Sequence, residues 1–194
     1  MMRQAAVPGR TRRFPQGFTL IELLVVVAIA AILLTVGVPS YLTTIAGYRV
    51  ANETNALVGD LQYARSEAIK QGVTVSMCIS TDGATCSVST NHWEAGHIVL
   101  TTPFTGAGAV LRVQAPLTGG DTIREANSVS TIAFNREGFA GIASTTNWNG
   151  FTSLPQGVVL TVHDGRNTAS IGNCVLVSTV GQISVISKGT GVCT

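Results

Sequence analysis

The chain has 194 residues, of which 45% are hydrophobic and only 11% charged, with a net charge of +2. That length fits one domain of ordinary size plus an anchor. Four of the twelve basic residues (Arg3, Arg10, Arg12, Arg13) lie in residues 1–17, which hold no acid, so the remainder carries eight basic against ten acidic side chains. This balance argues against a nucleic-acid-binding protein, which usually needs a local excess of Lys and Arg.

The first predicted element runs from Phe18 to Val38, FTLIELLVVVAIAAILLTVGV, with Glu22 as its one charge. These 21 residues are long enough, at about 1.5 Å per residue, to cross a bilayer core of about 30 Å. The preceding arginines place the N-terminus in the cytoplasm and the rest outside. An ordinary secretory signal has its cleavage site after the apolar run. Here the distinctive junction lies before it, at Pro15-Gln16-Gly17-Phe18-Thr19-Leu20-Ile21-Glu22. A carboxylate inside an apolar span is costly unless it is paired.

The helical pattern continues beyond Pro39. Tyr41, Ile45 and Tyr48, then Leu57, Leu61, Ala64 and Ala68, recur at spacings of three or four, and Gly72 is a natural stop. One helix over 18–71 is expected, with bends at Pro39 and Gly47. After Gly72 the period changes to two, with Val73, Val75, Met77 and Ile79 alternating with Thr74, Ser76 and Cys78. Further strands are expected at 97–102, 109–114, 130–134, 157–162, 174–180 and 182–187. The expected fold class is α+β: a long N-terminal helix, transmembrane in its first half, packed on an antiparallel β-sheet head.

Cys78, Cys86, Cys174 and Cys193 allow three pairings, and sequence proximity favours Cys78–Cys86 and Cys174–Cys193. The alternative of a zinc site from Cys78, Cys86, His92 and His97 lacks a tight Cys-x2–4-Cys knuckle, so a disulfide with two surface histidines is preferred. His163-Asp164 with a serine would suggest a triad, but no Gly-x-Ser-x-Gly elbow is present. No enzyme activity, cofactor or metal is expected. Trp93 and Trp148 lie in loop-like stretches and are read as a lid over the sheet. Tyr63 and Arg65 are read as packing and solvation at the helix end, and Arg136 and Glu137 as solvated.

GFTLIELLVVVAIAAILLTVGVPSY resembles the class III signal of type IV prepilins and type II secretion pseudopilins. The resemblance implies cleavage by a prepilin peptidase after Gly17, N-methylation of Phe18, pairing of Glu22 with the N-terminal amine of a neighbouring subunit, and a helix-bending role for Pro39. It implies three segments: a cleaved leader at 1–17, a membrane and assembly helix at 18–45, and a head at 46–194. It places the chain in the inner membrane with its head in the periplasm, and in a surface pilus after assembly with other major and minor pilins.

A second resemblance covers LQYARSEAIKQGVTVSMCISTDGATC, HWEAGHIVL and STIAFNREGFA, which are similar to the GspH/FimT group of minor pilins and pseudopilins. The four-cysteine pattern is closer to the pilus members than to the secretion member. The group includes DNA receptors for natural transformation whose tail carries a Gly-Arg-x-Arg motif. The matching stretch here is Gly181-Gln182-Ile183-Ser184, without either arginine. Arg112, Arg166 and Lys188 remain as candidate DNA contacts if folding brings them together. The expected function is a minor type IV pilin of the FimU/FimT type. A DNA-binding competence pilin and a GspH-type pseudopilin of type II secretion are the alternatives.

Overall fold

A computed structural model describes residues 17–87, 91–101, 108–125, 128–143, 151–154, 156–166, 171–187 and 193. The chain forms two compact units, Met1–Leu42 and Thr43–Thr194. Trp148 and Lys188 lie outside the described residues.

Helix α1 (Leu20–Gln71) begins behind Thr19, whose side chain accepts a hydrogen bond from the Glu22 backbone N–H at 3.3 Å. Thr19-Leu20-Ile21-Glu22 thus has the spacing of a capping box, with an acid in the first turn facing the positive end of the helix dipole. The helix contains Pro39, which leaves the Thr35 carbonyl without its usual i+4 donor. Lys70 stands in the last turn, and Gly72 ends the helix at a φ of 67°.

In the Thr43–Thr194 unit, one stripe of α1 is buried: Ala46, Val50, Thr54, Leu57, Asp60, Leu61, Ala64 and Ala68. Ten strands follow: β1 (Val75–Ile79), β2 (His97–Thr101), β3 (Val110–Gln114), β4 (Thr122–Glu125), β5 (Thr131–Phe134), β6 (Ala140–Ala143), β7 (Phe151–Ser153), β8 (Val158–His163), β9 (Gly172–Val177) and β10 (Ile183–Ser187). They form two antiparallel sheets, ordered β3-β2-β1-β5-β6-β7 and β10-β9-β8-β4. The helix stripe joins Val75, Met77 and Ile79 of β1 and Val158, Leu160 and Val162 of β8 in a single core. The expected α+β architecture is the observed one.

Strand β1 is buried on both faces. Its second face places Cys78 with Ile98, Leu100 and Cys86 in a small cluster of its own. The loop after β1 is folded onto this face and ordered by Asp82. Asp82 Oδ1 accepts the Ala84 and Thr85 N–H groups at 2.9 and 2.8 Å, and Oδ2 accepts the Thr85 hydroxyl at 2.6 Å. These bonds, led by those from Thr85, hold the Asp82 carboxyl well below its ordinary range.

Three strands were not expected from the sequence: β4, β6 and β7. The expected strand at 174–180 instead occupies Gly172–Val177 and ends in a turn in which the Gly181 N–H donates to Ser178 O. Gly181 has a φ of 77°, and a Cβ there would lie 2.0 Å from the Gly138 carbonyl oxygen, so only glycine fits where the two turns cross.

Candidate functional site

Every residue from 17 to 45 is exposed. Within this stretch the large apolar side chains of α1 are all exposed, from 40% at Leu42 to 82% at Leu20. An 18-residue window of the helix reaches a mean hydropathy of 2.8, long and apolar enough to cross a membrane. Glu22 is the only charged side chain between Phe18 and Tyr48. A helix apolar all round finds its partners in lipid or in other helices. Phe18, just ahead of it, is 85% exposed.

The head places charge inside instead. Asp60, on the buried stripe of α1, lies 2.8 Å from His97 Nε2 and accepts a hydrogen bond from Arg112 at 2.6 Å. The Arg112 guanidinium also sits 4.6 Å over the ring of Tyr63, one turn along the helix. Burial alone would raise the Asp60 pKa, but the hydrogen bonds from His97 and Arg112 outweigh it and hold the carboxyl below its ordinary value. His97 is therefore a buried link between α1 and β2, not the surface histidine expected from sequence. Arg112, a candidate DNA contact, is committed to Asp60.

A second cluster joins Arg49 of α1 to Asp121, through Nε to Oδ2 and through Nη2 to Oδ1 at 2.7 Å. A third joins Arg124 and His92 to Glu94. There burial opposes, and the Arg124 hydrogen bond secures, a lowered Glu94 pKa. Lys70 pairs with Glu67, and Arg136 with Glu137. Arg65 donates to the Gly138 and Val180 carbonyls, tying the helix end to two turns. Arg166 is exposed at the turn after β8. Gln182 is exposed and Ser184 lies on the exposed strand β10.

The cysteines are joined as Cys78–Cys86 and Cys174–Cys193, with Cα–Cα distances of 5.5 and 5.8 Å. Neither Cys78 nor Cys86 is a thiolate that could hold zinc. Trp93 is not a lid: it lies in a short 3-10 turn (Trp93–Ala95), is 1% exposed within the core, and donates its indole N–H to Val129 O at 3.0 Å.

Sequence reasoning missed Arg49, Glu53, Asp60 and Asp121. A signal for two of them existed. Counting from Leu57, Glu53 stands four residues before and Asp60 three after, so helical spacing puts both carboxyls beside the apolar stripe.

The segment STIAFNREGFA takes its form from Asn135. Its side chain accepts the N–H groups of Glu137 and Phe139, at 3.1 and 2.9 Å, and Gly138 takes a φ of 83° to close the turn.

Comparison with known proteins agrees with this architecture. The family described as type II transport protein GspH matches residues 53–181, and the prokaryotic N-terminal methylation motif matches residues 12–38. Comparison with curated proteins gave no match. Two crystal forms of the type IV minor pilin FimU of Pseudomonas aeruginosa strain PAO1 share the fold. One has a TM-score of 0.51 at 23% identity, covering 73% of this chain and 93% of that one. The other has a TM-score of 0.54 at 20% identity, covering 77% and 95%. A fold match alone would leave the family open, but the GspH match takes in well over half of the chain: it belongs to the GspH family and is a type IV pilin-like protein carrying the N-terminal methylation motif.

Proposed function

We propose that this protein is a minor type IV pilin of the FimU/FimT type, which helps to prime pilus assembly and stands at or near the pilus tip. The observation that carries this reading is the helix of residues 20–42, apolar and exposed on every side with Glu22 as its lone charge. Such a surface has no use within the chain and suits a bundle of like helices. A prepilin peptidase cuts between Gly17 and Phe18, and the new N-terminus is methylated. Before assembly the protein is held in the inner membrane with its head in the periplasm. In the bundle, Glu22 neutralises a neighbour's N-terminal amine, since each charge is unfavourable alone in lipid. The pilus would serve twitching motility, adhesion or DNA uptake. Four cysteines in two local pairs favour the pilus over the type II secretion apparatus.

Deletion of the gene, complemented with wild type or with Glu22→Ala, tests this reading. Deletion is expected to reduce surface pili and twitching without stopping exoprotein secretion. Glu22→Ala protein is expected to insert and fold but to be depleted from sheared pili. Lost secretion with intact pili would transfer the protein to the secretion apparatus. Intact mass of the membrane-extracted protein should show loss of residues 1–17 and one added methyl group, and a chain starting at Met1 would refute processing.

A further inference from the structure

Glu53 lies one turn after Arg49 on α1, with its carboxyl close enough to that of Asp121 for the two to interact directly. Two carboxyl groups can share a hydrogen bond only if one of them carries a proton. Asp121 is the better placed to be ionised. Its side chain is fully buried, it is clasped by Arg49 through both oxygens, and Oδ1 also accepts the Gly165 N–H at 2.9 Å. Glu53 is the worse placed. Its Oε2 is buried and has no hydrogen-bond partner among the described residues. It borders a cavity of about 210 Å³ whose wall is largely apolar, formed by Leu57, Trp93, Leu117 and Ile123. An ionised Glu53 would thus set a second negative charge beside Asp121 and leave a buried charged oxygen without a hydrogen bond.

The backbone around the pair is built for close approach. Gly119 has a φ of 99°, and a Cβ there would lie 3.0 Å from the Arg49 guanidinium. A Cβ on Gly165 would lie 2.8 Å from the Gly120 carbonyl oxygen. The segments Gly119-Gly120-Asp121, leading into β4, and Asp164-Gly165, leaving β8, therefore meet at the helix turn that carries Arg49 and Glu53.

We propose that Arg49, Glu53 and Asp121 form a proton-linked latch, which fastens this turn of α1 to the β4–β8 end of the four-stranded sheet while Glu53 is protonated and loosens when it ionises. The closed latch is neutral: one guanidinium, one carboxylate and one carboxylic acid. Ionisation adds a second negative charge beside Asp121. Burial first, and then the hydrogen bond and charge of Asp121, push the Glu53 pKa up to about 7, with Arg49 acting against them. The latch therefore switches near neutrality. Other groups around it are His97, which borders the same cavity but is held by Asp60, the Glu94–Arg124–His92 cluster beside Ile123, and His163 at the end of β8.

Because the folded-state pKa is raised above the ordinary 4.5, the folded protein binds the proton more tightly than the unfolded chain. The stabilisation is complete below about 4.5 and is lost as pH rises towards and through about 7. The test uses the full chain in detergent micelles, as wild type and as Glu53→Gln, with glutamate labelled at the side-chain carboxyl carbon. The Glu53 resonance, assigned by its absence from the variant, should titrate with a midpoint near 7. The Gly165 amide resonance should follow with the same midpoint in wild type and stay still in the variant. The melting temperature of wild type should fall between pH 5 and pH 8. Glu53→Gln should fall less over that range and melt above wild type at pH 8, the histidines being common to both. A Glu53 midpoint near 4.5, or equal pH slopes in the two proteins, would overturn the proposal. If the variant does not fold, the wild-type Gly165 amide titration decides alone: a midpoint near 7 supports the latch, and no shift between pH 5 and pH 8 overturns it.

Discussion

Within one helix, residues 20–42 are apolar on every side, while residues 46–68 bury one apolar stripe and are mostly polar elsewhere. The first stretch buries nothing within the chain, and the second supplies the spine of the head core. Helix propensity does not distinguish them. What differs is where the partners come from: lipid or other subunits for the first, the chain's own strands for the second. Charge follows the same division. Glu22 is alone in its stretch, whereas Asp60 and Glu53 lie beside the stripe and find partners in the strands and loops.

The same substitution in the two stretches should have opposite consequences. Leu61 is fully buried and Leu33 is 66% exposed. Leu61→Asp sets an unpaired carboxylate in the core, an effect of more than about 4 kcal/mol, and should prevent the head from folding. Leu33→Asp should leave the head folded and instead oppose membrane insertion by about 3 kcal/mol. Circular dichroism and limited proteolysis of detergent-extracted protein read the first effect, and membrane fractionation reads the second. A folded Leu61→Asp head would break the comparison.

The buried charges give the next largest effect. Asp60→Ala leaves His97 buried without its carboxylate and releases Arg112, which should cost about 3 kcal/mol in urea unfolding. Asp60 has a lowered folded-state pKa, so its contribution is present above the ordinary value of 3.8 and is lost as the pH falls below it. Wild type should therefore lose stability on acidification below about pH 4, and Asp60→Ala should show less of that loss.

These effects also mark what the sequence made legible. The helix, its stop at Gly72 and most long strands could be read because each period is local: three or four on α1, two on β1 and β8. Strands β4, β6 and β7 could not. Thr122–Glu125 contains two charges, yet Glu125 is buried and accepts the Val129 N–H at 2.7 Å. Ala140–Ala143 has one large side chain, and Phe151–Ser153 has only three residues. Their strand form is imposed by neighbouring strands, and no local pattern announces it. The same holds for His97, whose burial depends on an aspartate 37 positions away. The turns were legible as glycine and asparagine, but the meeting of Gly138 with Gly181, or of Gly120 with Gly165, was not.

The disulfides should matter somewhat less than the core. Replacing Cys174 and Cys193 by serine opens a loop of about 20 residues, and chain entropy puts the loss at about 3 kcal/mol. Replacing Cys78 and Cys86 should cost slightly less, because the loop is shorter and Asp82 holds its own turn. Urea midpoints of the two double variants, with non-reduced peptide mapping of the wild type, check both. Free thiols or crossed pairs in the map would refute the pairing.

The smallest expected effect is that of DNA on the head. Residues 46–194 hold eight lysines and arginines against nine acids. Binding of nonspecific DNA draws on several cations converging on successive phosphates. In the head, Arg49 is clasped by Asp121, Arg112 by Asp60, Arg124 by Glu94, Arg136 by Glu137 and Lys70 by Glu67. Each pair would have to open, or carry its acid to the phosphate, before the cation could act. Arg65 is directed at two backbone carbonyls. Among the described residues this leaves Arg166 as an exposed cation with no ion pair, far short of the converging set required. A gel shift of residues 46–194 with double-stranded DNA in about 50 mM salt, where screening is weak, should therefore show no complex at low micromolar protein. A salt-sensitive complex at that concentration, abolished by Arg166→Ala or Lys188→Ala, would instead favour the competence-receptor reading. It would also show that the internal ion pairs of the head do not neutralise its surface.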